Sequence, residues 1–154
     1  MSSTNSSSQG KLDHIRELFE TGRADQALQF IEKTGSQTSE LKNAFGVCLM
    51  RVGQTDRAVT TLRELVFQRY MCIPADTPPL FQANYATALL LKNYNQPAID
   101  IIEDLPTSAH PYIGRLRQTI HQWRKTLPIY HRAGCLIKLY PPTPVIMSYP
   151  PGDL

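Results

Sequence analysis

A chain of 154 residues with 42% hydrophobic and 19% charged side chains is sized and composed like one soluble domain, and it holds no run near the roughly 18 apolar residues a membrane span needs. Three cysteines, Cys48, Cys72 and Cys135, are odd in number and outside any Cys-x-x-Cys pair, which argues against a disulfide framework and fits a reducing cytoplasm. The formal net charge of +3 says less than its distribution, because residues 105 to 154 carry six Lys or Arg against the single acid Asp153.

In chain order, residues 1–10 carry five serines and no apolar block, so they are expected to form a disordered polar tail and not a secretory signal. Residues 11–127 are expected to form helices, the first from about Lys11 to Thr21. Three segments share one layout of helix, tight turn and second helix opening with an alanine. The turns read Gly22-Arg23-Ala24-Asp25-Gln26-Ala27, Gly53-Gln54-Thr55-Asp56-Arg57-Ala58 and Asn93-Tyr94-Asn95-Gln96-Pro97-Ala98. Gly or Asn at the first position suits the left-handed residue that ends a helix, and the Asp, Thr or Asn that follows is expected to help start the next. Between the second and third turns, Cys72 to Pro79 holds three prolines and reads as a loop, with Thr77 as the cap of the next helix and Pro78 in its first turn. Ile113, Leu116, Ile120, Trp123 and Leu127 then form the apolar stripe of one more helix, Tyr112 to Leu127, able to cover the end of the array.

From Pro128 onward the character changes. Six of the twelve prolines fall between Pro128 and Pro151, interrupting the apolar runs Cys135–Tyr140 and Val145–Tyr149. Residues 128–154 are therefore expected to be an extended, Pro-rich tail with no helix, lying against either the chain's own helices or a partner.

Motifs that carry catalysis are missing: there is no glycine-rich phosphate loop, no Gly-x-Ser-x-Gly elbow and no His-Glu-x-x-His helix. His14, His110, His121 and His131 lack metal-ligand spacing. Neither an enzyme nor a metal or other cofactor is expected.

The turns recur after 31 residues, Gly22 to Gly53, and after 40, Gly53 to Asn93, bracketing a period of about 34. Gly46 with Ala58, and Ala86 with Ala98, put small residues 12 positions apart where paired helices would touch. Phe45, Leu49, Leu62 and Leu65, and then Tyr85, Leu89, Ile102 and Leu105, supply large apolar sites around them. In these features the chain resembles the tetratricopeptide repeat family over residues 11 to 106. It departs from the family pattern at Ile15, where a small residue belongs, and at Lys42 and Gln82, where a large aromatic belongs. The resemblance implies an all-α solenoid of about three hairpins plus a C-terminal capping helix, binding a protein or peptide partner in its concave groove as an adaptor, assembly factor or chaperone-like module. The places of the family's carboxylate clamp hold Leu80 and Asn84, so that subclass is not expected.

Aligned on Gly46 and Ala86, the resemblance puts Asn43, Val47 and Arg51, then Asn84, Thr87 and Leu91, in that groove, with Arg16 from the first hairpin. Asn43 and Asn84 stand out because an amide side chain can bond both the N–H and the C=O of a bound backbone. An alternative comes from Arg115, Arg117, Arg124 and Lys125, which share one helix with Tyr112 and Trp123 and could bind a polyanion such as RNA.

Overall fold

The computed structural model describes residues 3–67, 72–106 and 108–154, with side chains from Ser8 onward. Eight helices lie within these residues: α1 (Ser3–Glu20), α2 (Ala24–Thr34), α3 (Ser39–Arg51), α4 (Thr55–Phe67), α5 (Pro79–Leu91), α6 (Asn95–Asp104), α7 (Pro111–Thr126) and α8 (Ile129–Leu136). None is long and apolar enough to cross a membrane.

The three turn sequences close in one way. Gly22, Gly53 and Asn93 take the left-handed conformation at φ of 70°, 79° and 60°. The N–H that follows each reaches back to the helix just ended: Arg23 to the Leu18 carbonyl, Gln54 to Leu49 and Tyr94 to Leu89, each at 2.8 or 2.9 Å. This closure satisfies carbonyls that a helix end leaves unpaired and turns the chain directly into the next helix. The expected side-chain caps do not follow, since Arg23 and Tyr94 occupy the N-cap positions of α2 and α6 without a capping bond. α5 likewise starts one residue late, at Pro79, and the Thr77 hydroxyl is buried without a partner.

Each helix packs on its neighbour in sequence. Among the described residues α1 also touches α3, α3 touches α5 and α5 touches α7, whereas α2, α4 and α6 make no contacts with one another. The odd-numbered helices thus share an inner layer backed by the even-numbered ones. α5 sits at its centre and is buried nearly all round, from Phe81 through Leu90, which is why its sequence reads apolar on every face. The core runs unbroken from Leu12 to Leu127 and takes in Val145 from the tail.

Both ends differ from expectation. α1 begins at Ser3, so the serine run is helical where an unstructured tail was expected; Met1 and Ser2 lie outside the described residues. Serine is only mildly unfavourable in a helix, and extending one already anchored by Leu12, Ile15 and Leu18 avoids the nucleation step. At the other end, α8 occupies Ile129–Leu136 in a stretch expected to hold no helix. Pro128 merely starts it, and Lys138, in the left-handed conformation at φ 58°, ends it with the same closure as the three turns. Only beyond Lys138 does the chain run extended.

Candidate inner groove

The inner face of α3, α5 and α7 is occupied by the chain's own last residues. The tail starts at α6, where Asn95, only 2% exposed, donates from Nδ2 to the carbonyls of Pro141 (2.6 Å) and Thr143 (2.9 Å). Asn95 thus holds the tail instead of capping α6. Val145 enters the core, and Tyr149 then crosses α7. Its hydroxyl lies 3.0 Å from Thr119 Oγ1, and because the Thr119 proton is already given to the Arg115 carbonyl, Tyr149 is the donor.

At Pro151–Asp153 the groove reads backbone. Arg51, at the end of α3, donates from Nε to the Pro151 carbonyl (3.3 Å) and from Nη2 to the Gly152 carbonyl (2.9 Å). Its guanidinium stacks 3.9 Å above the Phe19 ring, which fixes the fork in place. Burial lowers its pKa, an effect opposed by the nearby Asp153 carboxylate. Asn84, fully buried in the middle of α5, uses its whole amide: Nδ2 donates to Asn43 Oδ1 and to the Asp153 carbonyl, both at 2.9 Å, while Oδ1 accepts the Asp153 N–H at 3.0 Å. One side chain thereby pairs with a residue as a neighbouring β-strand would.

The Gly152 N–H feeds a chain of hydroxyls. It donates to Tyr112 Oη at 2.8 Å, Tyr112 lies 2.9 Å from Thr87 Oγ1, and Thr87 gives its proton to the Ala83 carbonyl at 2.8 Å. An N–H at one end and a C=O at the other fix the direction of every proton, so Tyr112 must donate to Thr87. Burial pushes the Tyr112 phenol up to about 12, so the donor is intact at neutral pH. Gly152 has φ 78°, and a Cβ there would lie 2.7 Å from Met50 Cε and 2.9 Å from Val47 Cγ2. The Asp153 carboxylate meets Arg115 at 2.9 Å, and the Arg115 guanidinium lies over the rings of Tyr112 and Tyr149 at 5.4 and 5.3 Å.

Five of the seven residues expected in the groove therefore converge on one peptide: Asn43, Val47, Arg51, Asn84 and Thr87. The other two sit elsewhere, Arg16 paired with Asp13 on the surface of α1 and Leu91 as the 36% exposed last residue of α5. Tyr112, Asn95 and Thr119 were not expected as groove residues. The four cations of α7 have different employments. Arg115 holds the tail, Arg117 donates to the carbonyls of Ile102 and Glu103 at the end of α6, and Arg124 bridges the Glu103 carboxylate (2.6 Å) and the Tyr140 hydroxyl (2.9 Å). Lys125 is exposed on the last turn of α7. A cleft of about 450 Å³ remains between α7 and the tail, lined by Gln118, Gln122 and Trp123 on one side and Pro144 and Ile146 on the other. No group of three or more His, Cys, Asp or Glu able to hold a metal ion occurs among the described residues.

Compared with known proteins, the chain matches no family model, no curated protein and no solved structure.

Proposed function

We propose that the chain is a tetratricopeptide-like helical solenoid whose inner groove grips an extended segment of a partner protein, and that it serves as an adaptor or assembly factor. The turn spacing, the shared turn closure and the layering of odd on even helices support the solenoid reading. The observation that carries the function is the way Arg51, Asn84 and Tyr112 engage a main chain: together they contact two N–H groups and three carbonyls of an extended segment. Such contacts give affinity without demanding much of the side chains, as in other modes of extended-peptide recognition. The polyanion reading is weaker, since Arg115, Arg117 and Arg124 are each engaged by the chain itself.

The test is affinity capture at low and high salt, with wild type against an Asn43→Ala, Asn84→Ala double variant. Retention of one protein at both salts, lost with the variant, is the expected outcome. Nucleic acid retained at low salt alone, and indifferent to the variant, would move the function to the α7 face.

A further inference from the structure

The peptide in the groove is no arbitrary filler, because each of its last ordered contacts imposes a chemical requirement. The Gly152 position admits no side chain: Val47 is fully buried and β-branched, so it cannot swing away from an added Cβ 2.9 Å distant. The positive φ there excludes most L-residues independently of space. The next residue must present both N–H and C=O to Asn84 and places its side chain beside Arg115, which favours an acid. Three residues before the glycine, an aromatic ring packs edge-on against Tyr112 at 6.1 Å and delivers a hydroxyl to Thr119. The sequence Tyr149-Pro150-Pro151-Gly152-Asp153 meets all of these at once, with two prolines that hold the approach extended.

Resting on the groove reading above, we propose that the groove selects an extended segment with glycine followed by an acidic residue, and that the chain's own Tyr149–Leu154 keeps it closed until a partner segment of that chemistry displaces it. The closed state also satisfies the buried amide of Asn84 and the Tyr112 hydroxyl, so a competitor must offer the same backbone contacts to replace them. A tethered segment competes at an effective concentration on the order of 1 mM. For a free segment with Kd of about 10 μM, closure would weaken binding in trans about 100-fold.

The experiment uses the full chain and a fluorescent peptide with the sequence of residues 141–154. Gly152→Val in the protein leaves the groove residues in place while the tail can no longer seat. The opened protein is expected to bind the peptide about 100-fold more tightly than wild type does, with circular dichroism reporting unchanged helix content. A peptide carrying Gly152→Ala is expected to bind the opened protein at least about tenfold more weakly than the parent. If Gly152→Val impairs folding, Tyr149→Ala loosens the same tail from α7 and takes its place. Equal peptide affinity for wild-type and opened protein would overturn closure, and equal affinity of the Gly and Ala peptides would overturn the selectivity; in both cases the groove reading survives. Concentration-dependent dimers of the wild type with tails exchanged would also overturn closure within one chain. An opened protein that binds no peptide, or binds one regardless of Asn84→Ala, removes the groove reading itself.

Discussion

Tyr112 is the residue whose chemistry links the helices to the tail. Its hydroxyl accepts from Gly152 and donates to Thr87, and burial, the largest influence on it, holds the phenol neutral up to about 12 against an ordinary value near 10. A folded-state pKa above the unfolded one means stability that is whole below about pH 10 and lost as pH rises toward 12. Tyr85, Tyr140 and Tyr149 are also shifted upward, chiefly by burial, so they share the alkaline window. Tyr112→Phe should therefore be less stable than wild type by about 1–3 kcal/mol at neutral pH, because the Gly152 N–H loses its partner, yet decline less steeply above pH 10. Denaturant unfolding across that range checks both halves; parallel decline of the two proteins would show that Tyr112 does not govern the alkaline limit. At this scale the sequence was partly legible. Asn43 and Asn84 could be singled out because an amide has the donors and acceptor that a backbone requires. Arg115 was read as a candidate polyanion contact because nothing nearby in sequence reveals that Asp153 returns to it.

Between elements, Gly46 is where α3 meets α4 most tightly on a single residue's geometry, since an added side-chain carbon there has no room. Gly46 was expected at the face where the paired helices touch; there it lies against Leu62 of α4, and an added Cβ would lie 2.5 Å from Leu62 Cγ and Cδ2. Replacing a helical glycine with alanine gains up to about 1 kcal/mol in propensity, whereas forcing a methyl into a filled core costs about 1–3 kcal/mol. Leu62 is fully buried, so moving it aside presses it into other core side chains, and the clash should win. Gly46→Ala is expected to unfold at lower urea concentration, by roughly 1 kcal/mol of stability; a stabilised variant would mean that the α3–α4 contact is more compliant than this geometry implies. The three turns were legible for a local reason: Gly22, Gly53 and Asn93 carry their conformational preference in the residue itself. α8 was not, because its end depends on Lys138 adopting a left-handed conformation that lysine does not advertise, and because Pro128 was read as a breaker when it stands at the start.

Across the whole molecule, the decisive contacts join residues far apart in sequence, 101 positions for Arg51 with Gly152 and 69 for Asn84 with Asp153. Hydrophobic periodicity has no means of reporting such pairings, so the tail could be expected to lie against something without the sequence saying where. The makeup of those contacts also predicts how the groove should respond to salt. Most are hydrogen bonds to main chain, and the ion pair holding the tail is Arg115 with Asp153, whose side chains are 50% and 33% exposed. A pair that open to water contributes about 0–1 kcal/mol, and salt screens it progressively as the Debye length shrinks from about 10 Å at 0.1 M to about 3 Å at 1 M. Binding of the 141–154 peptide to the opened protein should then weaken less than about threefold over that range. A polyanion neutralised by Arg115, Arg117, Arg124 and Lys125 together would lose roughly three orders of magnitude over the same tenfold change. Measuring the peptide and a short RNA side by side separates the two surfaces. A flat peptide response assigns affinity to the backbone contacts of Arg51, Asn84 and Tyr112, while a steep one would mean that charge, and not backbone pairing, holds the segment in place.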